Sequence, residues 1–494
     1  MKLRTRFYKT SILALTVLIS FAGCKKTLDI NNDPNNPVLE QGTPPLVFPT
    51  AVIAVAAKTG GDLALLGGIW GEYFTQSAFS NQYKFMDAYD ISSGIFNAPY
   101  SVLYSAGLIN LQFVIDKSKE SQDWNFYLMG TVMKAYTTAI LVDLYDKIPY
   151  FEALQGASNL NPKFDDGYTI YKDLLSKLDS ALGKDFTLST NTSPGKADLV
   201  FGGDMAKWKQ FANTLELKMY LRMVNAKPDE AKAGVLKLYN NNAQFLTKDA
   251  GVFSYQDIPN KDNPLYEQNI RSLNTPVNLR ASRTFVSWLQ QANDPRLVKF
   301  YGSANPNNMH QGDYLNAKND PTYSSAASFI EKATDPVVFL SVAESYFLQA
   351  EARERYYNGD QAQALYNAGV TTSFTSLGLS GSSFVAPGGA YAYPTTGTLD
   401  QKIEAISVQK WASFPYGNEF IEGFFEKNRT GYPRTSPVYS TSSAYVPGQF
   451  VISLNSVLAP GQLPRRLVYP DAEVSRNTNT PALVPITTPV WWAK

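Results

Sequence analysis

The sequence of 494 residues contains one cysteine and one histidine. A single thiol cannot close an intramolecular disulfide, so Cys24 cannot staple the chain to itself. Structural zinc wants four Cys or His ligands and catalytic zinc two or three His, and neither set can be assembled. A Ser-His-Asp or Cys-His nucleophile system would have to use His310. That residue lies in Asn305-Pro-Asn-Asn-Met-His-Gln-Gly-Asp, a loop by its turn residues, where a solvated histidine is the ordinary occupant. Charge is scarce as well: 18% of residues are Asp, Glu, Lys or Arg, against about 25% typically. No Walker A loop is present, and Gly60-Gly61 and Gly67-Gly68 follow no expected strand, so phosphate chemistry lacks support. The Asp-rich pieces lack the spacing of a calcium loop, and no metal or cofactor is expected.

Aromatic residues are plentiful, at 13%, with 30 Tyr and 28 Phe. Low charge with abundant Tyr, Asn and Gly suits a protein that works outside the cytoplasm on polar, uncharged partners. The competing explanation is that the tyrosines pack a large core. At the N-terminus Lys2, Arg4, Arg6 and Lys9 precede the apolar run Ile12–Phe21, which meets Ala22-Gly23-Cys24. A basic region, a short apolar run and small residues make a secretory signal over residues 1–23. The run is too short to span a bilayer. The lone cysteine sits at the cleavage point, as in a bacterial lipoprotein signal, where the thiol is acylated. Removing residues 1–23 takes away four basic residues and no acidic one, turning the net charge from +1 to −3. A mildly acidic chain without a basic run does not suit nucleic acid.

Residues 24–45 are rich in Asn and Pro and read as a flexible tether to the lipid, leaving 46–494 as one domain. Helical periodicity then predicts helices over Ala51–Phe79 with an interruption at Gly60-Gly61, Pro99–Ile115 and Trp124–Tyr145. Asp165 or Asp166 is expected to cap a helix ending at Leu182, and Asp204 one over Met205–Val224, with Pro228 opening the next. From Leu246 to Tyr323 the pattern breaks down, apart from Ser282–Gln291. Asp335-Pro336 is expected to start a helix running to Tyr357, followed by another ending near Phe374. Leu399–Trp411 and Gly417–Lys427 complete the set, with a short hairpin beyond Gly431. The fold class is mostly α, with TPR-like helical hairpins, long inserted loops and little β.

Glu344 and Glu351 lie two turns apart on one predicted helix, separated by about 10.5 Å along its axis. A glycosidase needs two carboxylates from different elements flanking a cleft. These two suit packing between helices instead, with Glu351 and Arg355 an i,i+4 ion pair. Recognition of neutral polar ligands is better supplied. Trp70-Gly-Glu-Tyr73-Phe-Thr-Gln76-Ser-Ala-Phe-Ser-Asn81-Gln-Tyr83 mixes flat aromatic faces with amides, as sugars require. The loop 260–283, with Tyr266, Arg271 and Asn278, and the segment Tyr391–Tyr393 offer similar chemistry. Trp70, Tyr73, Gln76, Asn81, Tyr83, Tyr266, Arg271 and Asn278 are therefore the candidate ligand-binding residues. For any single aromatic among them, core packing competes with ligand contact.

Several phrases go beyond composition. Asp143-Leu-Tyr-Asp-Lys-Ile-Pro149-Tyr150-Phe-Glu-Ala resembles a stretch of the SusD/RagB family, as do Trp208-Lys-Gln-Phe-Ala-Asn213 and Asp294-Pro-Arg296-Leu. Ala343-Glu344 with Ala350-Glu351, Ser407–Trp411 with Asn428–Pro433, and Arg465–Pro470 continue the resemblance in order. Asp146, Lys147 and Asn428 depart from the family pattern. The resemblance implies a bacterial outer-membrane lipoprotein facing the cell exterior and anchored through Cys24. It implies binding without catalysis, of an oligosaccharide or in some branches a peptide, beside a partner SusC-like TonB-dependent transporter. A lipid-anchored glycoside hydrolase is the alternative. The phrases are scaffold, so ligand contacts cannot be carried over from them.

Overall fold

A computed structural model describes residues 42–315 and 325–494. The expected signal peptide, Cys24 and most of the tether lie outside the described residues, as does 316–324. Helix α1 (Pro44–Ala57) opens on two prolines, whose missing N–H groups cost nothing in a first turn. It therefore begins inside the segment expected to be tether. It continues through a π-helical turn, Lys58–Asp62, into α2 (Leu63–Trp70). Gly60-Gly61 widens the helix rather than interrupting it, and a Cβ on Gly60 would lie 2.3 Å from Val337. The helix ends at Trp70, not Phe79, because Phe74–Gln76 leaves as strand β1.

Helix α3 (Ile109–Ser121) continues a helical run from Asn97 and packs on α4 (Trp124–Tyr145), which has the expected bounds. Strands β2 (Lys147–Pro149) and β3 (Phe164–Asp166) pair antiparallel ahead of α5 (Gly167–Leu182). Neither aspartate caps α5 with its side chain; Asp165 instead accepts from the Tyr150 and Phe151 N–H groups. Asp204 does cap α6 (Met205–Arg222), accepting from Lys207 N at 3.2 Å, and α7 (Pro228–Asn240) folds back on it. The middle region supplies β4 (Ala250–Val252), β5 (Leu279–Ala281) and α8 (Arg283–Gln291).

Strand β6 (Val337–Leu340) stands where a helix start was expected. Its Val-Val-Phe-Leu run fits a buried ladder with β4 better than a helix turn. Ser341, not Asp335, then caps α9 (Val342–Tyr356), accepting from Glu344 N at 3.2 Å. Helix α10 (Ala362–Thr375) pairs with α9. Helix α11 (Leu399–Ser413), begun by a Thr398–Gln401 capping box, pairs with α12 (Phe420–Thr430). Beyond Gly431 the expected hairpin is absent among the described residues, where Thr435 and Phe450 form an isolated parallel bridge. The architecture is mostly α, built from helical hairpins with three two-stranded ladders. Pro44–Trp70 and Asn97–Ser121 are long and apolar enough to cross a membrane by length and composition. The first is mostly buried in the core, which accounts for its composition.

An ion network runs through the packed helices. On α6, Lys218 Nζ lies 3.1 Å from Glu344 of α9 and 2.8 Å from Glu422 of α12. One turn on, Arg222 reaches Glu422 at 2.7 Å, Glu426 at 3.3 Å and Asp143 of α4 at 3.4 Å. Lys410 of α11 bridges Glu344 and Glu426, each at 3.2 Å. Arg429 grips Glu351 at 2.6 Å and Glu426 at 2.7 Å, while Arg355 makes the expected i,i+4 contact with Glu351 at 2.7 Å. Apart from Arg355, which is half-buried, all these groups are buried. Burial works against the Glu351 charge, but Arg429 and Arg355 outweigh it and hold the carboxyl down at about 2. Removing one partner strands buried charge, so Arg429→Met should cost about 3–5 kcal/mol in urea unfolding. A loss below about 1 kcal/mol would mean that the network contributes little to holding the helices together.

Candidate functional site

The chain turns sharply after α2, with Glu72 at φ 57°, and enters β1. Strand β1 pairs antiparallel with β5, Phe74 opposite Ala281 and Gln76 opposite Leu279. The two segments that sequence chemistry singled out, 70–83 and 260–283, are thus joined by one ladder. Gln76 is fully buried and organises the loop after β1. Its Oε1 accepts from Tyr83 N at 2.7 Å, and its Nε2 donates to Ser80 Oγ at 2.6 Å and Ser77 O at 3.1 Å. Asp87 adds a second clamp, accepting from Thr75 Oγ1 at 2.5 Å, Gln76 N at 2.8 Å and Gln311 Nε2 at 2.7 Å. Burial pushes the Asp87 carboxyl up to about 6 despite these bonds.

Beside this loop lies an open groove of about 800 Å³. One wall is the outer side of the α1–α2 helix, with Ile53, Ala57 and the Lys58–Asp62 ion pair, 3.0 Å long. Tyr83 and Gln82 form a second side, and Tyr255, Gln256, Asn260 and Gln268 form the third. Its chemistry is two tyrosines and four neutral amides, with Ser254 and Ser272 between them. The charged lining residues are largely neutralised in place. Asp62 pairs with Lys58, and Arg271 draws Asp262 to 2.5 Å and Glu267 to 3.5 Å. Behind Tyr83, Asn278 Nδ2 donates to Asn269 Oδ1 at 3.1 Å, and Asn269 Nδ2 to Glu331 Oε1 at 2.6 Å. Burial holds Glu331 up at about 8, so near neutral pH it is mainly a protonated acid. The Tyr83 hydroxyl, Asn278 Oδ1 and Glu331 Oε2 are buried without hydrogen-bond partners.

Of the candidate ligand residues, Tyr83 lines the groove directly. Arg271 stands behind its lip, joined to Asp257, Asp262 and Glu267, with its guanidinium 5.4 Å from the Tyr266 ring. Asn278 is sealed beneath the groove, and Asn81 is exposed at the tip of the 77–83 loop. Tyr73 is a core residue: its hydroxyl donates to Trp411 O at 2.8 Å and its ring stacks on Trp411 at 5.5 Å. Trp70 donates to Met86 O at 3.0 Å and packs 4.9 Å from Phe424, lining a different cavity. Tyr391 and Tyr393 are packed inside, the first stacked 5.1 Å from Trp288. Sequence reasoning did not single out Tyr255, Gln256 or Gln268. The signal was there, since Tyr255-Gln256 repeats the aromatic–amide chemistry of the 70–83 segment just after a strand.

A family model described as SusD-like, starch-binding and associating with the outer membrane, matches residues 65–470. The chain belongs to the SusD-like family. Solved structures share its fold. A SusD-like protein of Bacteroidetes superposes with a TM-score of 0.73 at 18% identity, over 91% of this chain and 99% of its own. A SusD homologue from Bacteroides uniformis gives 0.72 at 21% identity, over 91% and 99%. A chitin-binding SusD homologue from Flavobacterium johnsoniae gives 0.70 at 20% identity, over 90% and 97%. Among curated proteins none matches the chain.

In this SusD-like chain the recurring phrases build scaffold. Arg296 of Asp-Pro-Arg-Leu is fully buried, 2.7 Å from Asp294, with its guanidinium 4.4 Å from the Phe374 ring. Glu344, Glu351 and Arg429 are members of the ion network. The groove is lined by residues outside these phrases.

Proposed function

We propose that the protein captures a neutral oligosaccharide in the groove between Tyr83 and Tyr255 and passes it to a partner SusC-like TonB-dependent transporter. The observation that carries this reading is the groove's pairing of the partly exposed Tyr255, with Tyr83 at its edge, with four neutral amides. Tyrosine faces stack on the C–H faces of sugar rings, and amides both donate to and accept from hydroxyls. The family's starch-binding description and a chitin-binding structural neighbour favour glycan over peptide.

Catalysis is not part of this reading. Each carboxylate lining the groove is engaged by a cation, Asp62 by Lys58 and both Asp262 and Glu267 by Arg271. Hydrolysis would need an opposed pair free to protonate the leaving oxygen and activate water. Moderate binding by stacking and hydrogen bonds suits a protein that must release its cargo to the next compartment. Acylation of Cys24 would keep the domain on the outer membrane, facing outward, at high effective concentration beside its transporter.

Calorimetry with malto- and chito-oligosaccharides, paired with a product-release assay, tests the groove. One series should bind without turnover, and Tyr255→Ala should weaken it about tenfold, or 1.4 kcal/mol, at unchanged melting temperature. Release of shorter sugars, or full affinity in the variant, would overturn the proposal. Cys24→Ala should move the protein from the membrane fraction to the soluble fraction. Retention on the membrane would refute the lipid anchor.

A further inference from the structure

The groove is not polar throughout. Ile53 and Ala57 stand one turn apart on α1, so their side chains share a face, and both line the groove. Ile53 is 43% exposed, although it lies on a helix that carries much of the core, and Ala57 is half-buried. Gly61, one further turn along, brings this face against the middle region. A Cβ there would lie 3.2 Å from Pro264 Cβ and 3.7 Å from Gln268 Oε1. Without a side chain at 61, the helix lies directly on the segment that carries Pro264 and Gln268. Ile53, Ala57 and Pro264 thus form an aliphatic strip along the groove, and the strip ends beside the Gln268 amide. Leu273, also half-buried, adds to the aliphatic lining. The Gln268 side chain is engaged by no neighbour among the described residues, so its amide is open to a ligand.

This combination bears on which neutral sugar fits. A plain glucan carries hydroxyls around the whole edge of each ring. Laid against an aliphatic strip, those hydroxyls would give up water without gaining a partner. An acetamido group offers what the strip lacks: a methyl for the aliphatic side chains, with an adjoining N–H and C=O for an amide. A free amino sugar would bring an ammonium instead, which the same side chains would desolvate.

We propose that the groove selects oligosaccharides of N-acetylated hexosamine over plain glucans, seating an acetamido methyl on the Ile53–Ala57–Pro264 strip and pairing its amide with Gln268. The proposal rests on the reading of the groove as a glycan site and names the class of glycan. One well-placed apolar group is worth about tenfold in discrimination, which sets the size of the effect to look for.

The test is calorimetry on the full chain with chitotetraose, cellotetraose, maltotetraose and the fully deacetylated glucosamine tetramer. Chitotetraose and cellotetraose share one β-1,4-linked backbone and differ only at the acetamido groups. Chitotetraose should bind at least tenfold more tightly than each of the other three. Ile53→Asn and Gln268→Leu should each shrink the ratio of chitotetraose to cellotetraose affinity at least threefold at unchanged melting temperature; two variants keep the test decisive if one fails to fold. Equal affinity for cellotetraose, maltotetraose or the deacetylated tetramer would overturn the proposal and leave the glycan reading standing. An undiminished ratio in both variants would place the acetamido group elsewhere and overturn the strip. Binding of none of the neutral sugars would overturn the glycan reading, and this proposal with it.

Discussion

Charge taken out of water must be paired, and in this protein that requirement ties the helical hairpins to one another. Lys218, Arg222, Lys410 and Arg429 meet Asp143, Glu344, Glu351, Glu422 and Glu426 at the junction of α4, α6, α9, α11 and α12. Desolvation cancels much of the Coulomb gain, so such a network adds little net stability over an apolar core. Its force is in what it forbids. Sliding any one of these helices by a turn would strand several charges at once, so their register is sharply specified. The consequence reaches the loops. Helix α12 lies so close to α2 that a Cβ on Gly67 would meet Ile421 N at 2.3 Å. Trp411 at the end of α11 accepts from the Tyr73 hydroxyl and donates through Nε1 to Gly71 O at 2.8 Å. The segment that becomes β1 and the groove loop therefore departs from a fixed point.

From that point a chain of buried polar clamps carries the geometry outward. Asp87 and Gln76 hold the loop, and the β1–β5 ladder brings the middle region alongside. Arg271 gathers three carboxylates at the lip. Most of the charge lining the groove is thereby spent internally, leaving Tyr255 and neutral amides toward solvent. A neutral polar ligand meets such a surface without having to break a strong ion pair.

Much of the scaffold was legible in the sequence. Helix α4 was read to its observed ends because its long apolar run stops before Pro149, a local signal. Helix α6 was announced by Asp204, and Glu344 and Glu351 were correctly read as packing groups. Local signals misled where pairing partners lay far along the chain. Asp335-Pro336 looks like a helix start, but Val337–Leu340 answers to β4, some 85 residues earlier. Likewise Phe74–Gln76 answers to β5, which cut the first helix short. The groove was half legible. Its aromatic–amide chemistry was read in 70–83 and in the loop 260–283, but not at Tyr255-Gln256, nor which ring borders the groove. Tyr73 and Tyr83 have similar neighbours in sequence, yet one is locked onto Trp411 and the other borders the groove. Arg271 looked like a ligand residue because two of its carboxylate partners, at 257 and 262, become neighbours only when the loop folds back, while only Glu267 is a local i,i+4 partner.

The central claim is that a neutral glycan lies between Tyr83 and Tyr255 and leaves unchanged. A crystal structure of the protein soaked with the best-binding oligosaccharide tests this most directly. The account predicts an intact sugar chain in the groove, with a ring against at least one of these tyrosines and its hydroxyls within hydrogen-bond distance of the Gln82, Gln256, Asn260 or Gln268 amides. A cleaved sugar, or an intact one bound elsewhere with the groove empty, would contradict it.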